Sequence, residues 1–290
     1  MSLTFHWRSA TTLPVDGASL KPETFESLSA GDVPRLKLRT GNANAELGEL
    51  FSIEGTPDDI LTLEGDLSHV HGIGQGMSRG TLEIRGPVGA MLGSRMSGGN
   101  IVVLGSAGDW LGAEMLGGRI RIRGSVGNFV GAALPGSRSG MTEGLIFVEG
   151  TAGDDVGLSM RRGLIAILGD AGQGAGRSMI AGTILLGRNV GGLVGAGMKR
   201  GSVVMLNPNL EPNDLLLPTF VRAGQFPANF LILYKRQLEA WGLAIPHSEA
   251  VLGAPFERYN GDTVNGGQGE VLLRSRDHDG RKLWEAKVGS

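Results

Sequence analysis

The sequence predicts a mainly β protein: a right-handed parallel β-helix of about seven rungs, with a small α+β N-terminal cap and an α-containing C-terminal extension. Two observations predict it. Seven of the ten methionines (Met77, Met96, Met115, Met141, Met160, Met179 and Met198) are separated by 19, 19, 26, 19, 19 and 19 residues, the long step holding an insertion near Pro135. Around them recurs Gly, two residues, Met, two residues, Gly, then a short alternating run and a closing Gly, as in Gly93 to Gly105 and Gly157 to Gly169. A period this regular is that of a solenoid, whose units stack to bury a face that none can bury alone. The second observation is the alternation itself. Leu61, Leu82, Ile101, Ile120, Ile146, Ile165, Ile184 and Val203 align in one column, and Leu63, Ile84, Val103, Ile122, Val148, Ile167, Leu186 and Met205 two residues on. Arg119-Ile-Arg-Ile-Arg123 shows the period of two without a break, so the repeated element is a strand. A 19-residue helix broken by three or four glycines would lose about 1 kcal/mol at each.

Taken in order, residues 1–59 mix short apolar pairs with Pro14, Pro22, Pro34 and Pro57. Arg35 to Arg39 alternates like a strand, Leu50 to Gly55 reads as a degenerate early rung, and the segment reads as a cap of the kind solenoid ends require. Residues 60–207 are the repeat domain, about 34 Å tall for seven rungs at about 4.8 Å each. Arg188 replaces one closing glycine and Asn207 ends the last rung. Residues 208–290 form an extension packing on the solenoid. In it Leu215 to Phe220 reads as extended, Pro227 to Ala240 as an amphipathic helix stopped at Gly242, Tyr259 to Asp262 and Gly266 to Glu270 as loops, Val271 to Arg274 as a strand, and the polar stretch from Ser275 as a mobile tail.

Composition excludes several classes of function. The chain has 290 residues, 50 of them Gly, and no Cys, which removes disulfides, iron–sulfur clusters and thiolate catalysis. Net charge is −2; residues 79–201 carry 13 basic and 8 acidic groups, too slight an excess for a nucleic-acid surface. No apolar run approaches the roughly 20 residues of a membrane span. Met1 to Arg8 lacks a basic stretch followed by an apolar core, so the expected location is the cytoplasm.

Few residues of the chain are placed for chemistry. The methionine column is most simply an internal ladder of flexible thioethers filling the bore, with soft-metal binding as the alternative. His69-Val-His71 is a candidate metal pair without nearby carboxylates, and reads better as a turn. Gly72 to Gly76 and Gly172 to Gly176 resemble fragments of phosphate-binding loops but lack a βαβ context. Asp154 and Asp155 read as solvated turn residues. No metal site and no catalytic set are expected. The outward strand positions are more informative: Phe147, Leu168 and Leu185 need a cover, supplied by the C-terminal helix or by another subunit. Arg85, Arg121 and Arg123 make the adjoining part of that face cationic, suited to a carboxylate-bearing ligand or to docking, unless Glu83 and Glu149 pair with them.

The repeat Gly-x-x-Met-x-x-Gly-x-Leu/Ile-x-Ile/Val-x-Gly, as in Gly74 to Gly86, resembles the C subunit of formylmethanofuran dehydrogenase, and more distantly the C-terminal β-helix of the glutamate synthase large subunit. The resemblance continues through Leu217-Pro-Thr-Phe220, Arg258 to Asp262 and Gly267 to Glu270. It implies a noncatalytic scaffold in a cytoplasmic hetero-oligomer. In the archaeal form, the complex reduces CO2 onto methanofuran at a tungsten or molybdenum pterin held by another subunit. In the bacterial form, a formyltransferase/hydrolase of formaldehyde oxidation, formyl passes from tetrahydromethanopterin to methylofuran and is hydrolysed to formate. The implied partners are an amidohydrolase-like A subunit, a B subunit and a formyltransferase D subunit, with no cofactor held by this chain. The resemblance also implies a glutamate-rich carrier tail, for which Arg85, Arg121 and Arg123 are the candidate contacts. The Arg bias, 21 Arg to 6 Lys, favours the bacterial form. The archaeal dehydrogenase component and a glutamate synthase-type domain stay open, and a sugar-acting β-helical enzyme lacks convergent carboxylates.

Overall fold

The computed structural model describes residues 3–246 and 248–276. Ten strands run parallel in one 13-stranded mixed sheet: Leu3–Trp7, Ile60–Glu64, Thr81–Arg85, Asn100–Val103, Leu116–Ile122, Glu143–Val148, Leu164–Ile167, Thr183–Leu186, Arg200–Met205 and Gln268–Arg274. Their register reproduces the sequence columns and lengthens each at both ends. Leu3 joins Leu61 at one end and Val271 joins Val203 at the other; the second column gains Phe5 and Leu273. No member of either column is more than 4% exposed. Burying side chains of this size is worth about 1.5–3 kcal/mol each, which is why the pairing cannot slip by one residue without turning both columns outward.

Between strands the units stay bonded. Single parallel bridges link Leu67, Val88, Ala107 and Val126, and then Ala152, Ala171 and Val190. The residue after each methionine donates its amide to the carbonyl of the preceding one: Ser97 to Met77, Leu116 to Met96, Thr142 to Met115, Arg161 to Met141, Ile180 to Met160 and Lys199 to Met179, at 2.7–2.9 Å. The turn amides therefore have partners, as buried backbone requires. The insertion closes on itself, because the Met141 amide returns to the Gly131 carbonyl at 2.8 Å. A line of polar side chains caps the turns in the same way: Asp109 accepts from the Asn128 amide, Asn128 from Asp154, and Asp154 from Gln173.

Antiparallel pairing finishes both ends of the sheet. Phe51–Glu54 pairs with Leu3–Trp7, and the hairpin partner of Gln268–Arg274 is Phe256–Gly261, itself flanked by Val221–Phe226. Near the first end Phe5 meets Phe25 edge-on at 5.1 Å, and Trp7 meets Phe51 at 5.0 Å. A second sheet of four strands, with Lys37–Thr40 and Ala43–Glu46 at its outer side, lies in the N-terminal region.

Several local expectations change. Leu3–Trp7 is a strand the sequence reading did not assign. Leu50 to Gly55 is an antiparallel edge rather than an early parallel rung, and the chain enters it from the short helix Leu47–Leu50, begun by a reciprocal Glu46/Glu49 capping box. Leu215 is helical, not extended, in Pro212–Leu215, where Pro occupies the first turn and gives up no hydrogen bond. Tyr259 and Asn260, expected in a loop, lie in a strand, as do Gln268 to Glu270, because long-range pairing overrides their turn-forming residues. The amphipathic helix runs Leu231–Ala240, shorter than expected, because Pro227 to Phe230 forms turns before it. Of the tail expected to be mobile from Ser275, the first two residues are held: the Ser275 amide donates to the Pro255 carbonyl at 2.9 Å and Arg276 pairs with Glu211, and the rest lies outside the described residues.

Candidate functional site

All seven ladder methionines, Met77, Met96, Met115, Met141, Met160, Met179 and Met198, are fully buried. Each terminal methyl lies beneath a glycine of the next unit. An added Cβ at Gly182 would stand 2.9 Å from Met160 Cε, and one at Gly201 would stand 2.8 Å from Met179 Cε. Gly182 also has φ +111°, a conformation side chains disfavour. The frame Met-x-x-Gly thus has a mutual cause: the glycine of one unit makes room for the thioether of the unit before it.

The outer face of the sheet carries the expected apolar residues, and the chain covers them itself. Leu145, Phe147, Leu164, Ala166, Leu185 and Val204 form one buried cluster with Leu231 and Leu238 of the Leu231–Ala240 helix, and with Leu243, Val251, Leu252 and Phe256. Thr183 and Tyr234 hydroxyls meet at 2.9 Å across this joint. The arginines of the adjoining face are only partly available. Arg85 pairs with Glu64 at 2.8 Å and approaches Glu83 at 3.8 Å, and Arg121 pairs with Glu149 at 2.7 Å. Arg123 is exposed, and among the described residues no salt bridge engages it.

The remaining candidates are occupied by structural bonds. His71 Nδ1 accepts the Ala90 amide at 3.0 Å, and His69 is exposed. Among the described residues no three His, Asp or Glu side chains converge as metal ligands. The amides of Gly72, Gly74 and Gly76 go to Ala90, Leu20 and Ser94 carbonyls, and those of Gly172, Gly174 and Gly176 to Ala152, Gly192 and Val156, so none points freely toward a phosphate. Asp155, expected to be solvated, is buried and holds Arg177, while Asp154 caps Gln173.

Comparison with known proteins gives consistent matches. No family model matches the chain. It is 37% identical over 88 residues to the C subunit of the molybdenum-containing formylmethanofuran dehydrogenase 1 of Methanothermobacter thermautotrophicus, a match covering 30% of this chain and 22% of that protein. It is 34% identical over 87 residues to the C subunit of the tungsten-containing formylmethanofuran dehydrogenase 2 of Methanothermobacter wolfeii, covering 28% and 32%. The matches thus span less than a third of these curated relatives. The deciding likeness is to a solved structure. The formyltransferase/hydrolase complex (FhcABCD) of Methylorubrum extorquens, determined with methylofuran, contains a chain that superposes with a TM-score of 0.84 at 32% identity, covering 94% of this chain and 99% of that one. The chain belongs to the family of formylmethanofuran dehydrogenase C subunits.

In this C-subunit homologue, the C-terminal stretches that carried the resemblance are joints to the last repeat. The Phe220 ring lies where a Cβ on Gly261 would be 2.3 Å away and one on Gly195 would be 3.0 Å away, so both positions must be glycine for the ring to seat. Gly269 receives the Met198 methyl, as repeat glycines receive theirs. Arg258 pairs with Glu270 at 3.0 Å, and Glu270 in turn accepts from the Ser202 hydroxyl. Asp262 is 4% exposed and accepts the amides of Gly197 and Val264, both at 3.1 Å. Burial disfavours its charge, but the Thr219 hydroxyl and these two amides outweigh that and hold its carboxyl below the usual range. One set of polar residues falls outside the strand columns altogether. Arg161, Arg162, Lys199 and Arg200 share an offset of one and two residues after Met160 and Met198, and that shared offset was the available signal.

Proposed function

We propose that this chain is a noncatalytic scaffold subunit of a cytoplasmic one-carbon complex of the formyltransferase/hydrolase kind. Such a complex moves formyl from tetrahydromethanopterin to methylofuran and hydrolyses it to formate during formaldehyde oxidation. The observation that carries the proposal is likeness along nearly the whole chain to a component of a complex solved with methylofuran. The geometry supports the scaffold role: His71, the glycine turns and the buried carboxylate of Asp155 are committed to holding one unit against the next. In this reading residues 60–207 form a right-handed parallel β-helix, residues 1–59 cap it, and residues 208–290 pack on its flank. Arg85, Arg121 and Arg123 belong to its docking face, with Arg123 reserved for a partner or for the acidic tail of the carrier. The carrier itself sits on partner subunits, and this chain holds no cofactor.

A second reading has support of its own. The curated relatives are C subunits of molybdenum- and tungsten-containing dehydrogenases, so the complex joined by this chain is then a dehydrogenase. Affinity purification of the tagged chain from its host separates the two. Recovery of an amidohydrolase-like protein, a B subunit and a formyltransferase supports the first reading; recovery of a pterin-metal protein supports the second. Formyl transfer or hydrolysis by the isolated chain, persisting through repurification, would refute the scaffold role in both.

A further inference from the structure

Several arginines in this protein are paired with carboxylates. Arg79 meets Glu26, Arg85 meets Glu64, Arg95 meets Glu114, Arg121 meets Glu149 and Arg177 meets Asp155. One groove instead gathers cations without a carboxylate among them. It has a volume of about 510 Å³ and is lined by Arg161, Arg162, Lys199 and Arg200, with Ile180 and Ala181 between the two pairs and Asn265, Gly266 and Gln268 alongside. No carboxylate lines it, all four cations are exposed, and among the described residues none of the four forms a salt bridge. Only a neutral partner engages one of them: Arg200 Nε donates to Gln268 Oε1 at 2.9 Å.

The repeat fixes the spacing of these charges. The amides of Arg161, Ile180 and Lys199 donate to the Met141, Met160 and Met179 carbonyls at 2.9, 2.7 and 2.8 Å, so the three segments are stacked backbone and not independent loops. Neighbouring units stand about 4.8 Å apart, which puts the pair Arg161/Arg162 about 10 Å from the pair Lys199/Arg200. Ile180 and Ala181, both apolar, lie between them and add no charge. Four uncompensated positive charges this close repel one another and raise the local potential, an effect salt damps over about 8 Å. An anion in the groove relieves it, and guanidinium forks grip carboxylates in a defined geometry.

Among extended chains, the spacing selects the form of the anion. In a polyproline II chain, three residues make one turn at about 3.1 Å each, so side chains three apart face the same way about 9.3 Å from each other. In a β-strand, same-face side chains fall at about 6.8 Å or about 13.6 Å, and neither matches. We propose that this groove binds an acidic polypeptide segment in the polyproline II conformation, with carboxylates three residues apart, one to each cation pair. Arg162 also faces the neighbouring cavity beside Arg119, Tyr234 and Trp241, which gives the segment a continuation, although Glu143 makes that stretch less attractive to acid. The chemistry of the groove is independent of which one-carbon complex the chain joins.

The test uses the full chain and a fluorescein-labelled peptide of four Glu-Pro-Pro repeats, followed by anisotropy at low and physiological salt. The peptide should bind, and binding should weaken as salt rises. A peptide with Gln for Glu should not bind measurably. A peptide of equal composition with its four glutamates consecutive should bind several-fold more weakly. Arg162→Gln with Lys199→Gln should lower affinity at least 10-fold with an unchanged melting temperature. If that variant folds poorly, Arg161→Gln with Arg200→Gln gives the same comparison. Unchanged affinity in whichever variant folds, or equal binding of the consecutive-glutamate peptide, overturns the proposal. Tighter binding of a short DNA duplex than of the peptide overturns it as well, by making the groove a general polyanion surface.

Discussion

The pairing of Met160 with Gly182 can be dissected quantitatively. Met160 is fully buried, and Met160→Ala should cost about 2–5 kcal/mol, the usual range for a large-to-small change that leaves part of its cavity unfilled. Gly182→Ala faces two penalties. Its φ of +111° strains any residue with a Cβ, worth about 1–3 kcal/mol, and the new methyl stands 2.9 Å from Met160 Cε. Because Cε ends a flexible chain, the contact is relieved by a shift of the thioether. Its neighbours are close-packed, so the shift adds about 1 kcal/mol. In the double variant the contact vanishes while the backbone strain and the lost burial stay. Urea unfolding followed by circular dichroism should therefore show the double variant to be more stable than the sum of the singles by about 1 kcal/mol, beyond the few tenths expected of independent sites. Additivity within error would refute the reasoning, because the methyl would not then lie beneath the glycine. A charge at the same place is a harsher probe: Met160→Lys should not fold, since a cation is trapped without a partner.

Asp262→Asn should destabilise by about 1–3 kcal/mol in thermal melts near neutral pH, because one of the buried amide donors of Gly197 and Val264 loses an acceptor. Since the Asp262 carboxyl is held below its ordinary range when folded, its ionised form stabilises the native state above the unfolded value, and that contribution should fade as pH falls through the lower folded value. The Asn variant should lose this part of the acid dependence. Leu238→Ala, which thins the cover over Phe147 and Leu185, should cost about 2–5 kcal/mol and increase binding of an apolar dye. Arg121→Ser with Arg123→Ser should change stability by no more than about 1 kcal/mol, because the Arg121–Glu149 pair is a third exposed. In the assembled complex, loss of coupled turnover with a long-tailed carrier but not with a tail-less analogue would assign these arginines to the tail; dissociation would assign them to assembly.

What the sequence made legible was whatever the repeat repeats. The two apolar columns could be aligned from Leu61 to Val203 because most strands follow the last by 19 residues, with steps of 21 and 26 as the exceptions, and the observed register keeps every pair of that alignment. The strands that lengthen the columns were hidden for the opposite reason. Leu3–Trp7 finds its partner more than fifty residues away and has no copy to be compared with. Tyr259 and Asn260 carry turn-forming neighbours, and only pairing with the Gln268–Arg274 strand makes them extended. The arginine face was found because alternation points its residues outward, but the partners Glu64 and Glu149, which neutralise two of the three, became definite only with the register. The groove of Arg161, Arg162, Lys199 and Arg200 escaped because its charges come from units 38 residues apart and lie just outside the strands.

The antiparallel strands at the two limits of the sheet have a consequence for how the molecule behaves in a crowded solution. A parallel stack is open-ended: its last strand offers the same unpaired amides and carbonyls, at the same pitch, that its first strand accepts. Left bare, Arg200–Met205 of one molecule would present a ready template to Leu3–Trp7 of another, and copies would add head to tail into fibres. Here the Phe256–Gly261 and Gln268–Arg274 hairpin covers one limit, and Val221–Phe226 finishes it with an irregular register between Arg222 and Gly224. Phe51–Glu54 reverses direction at the other. A chain cut after Asn207 should therefore pair with a second copy through its bared Arg200–Met205 edge, giving dimers in light scattering, since Phe51–Glu54 still covers the other limit.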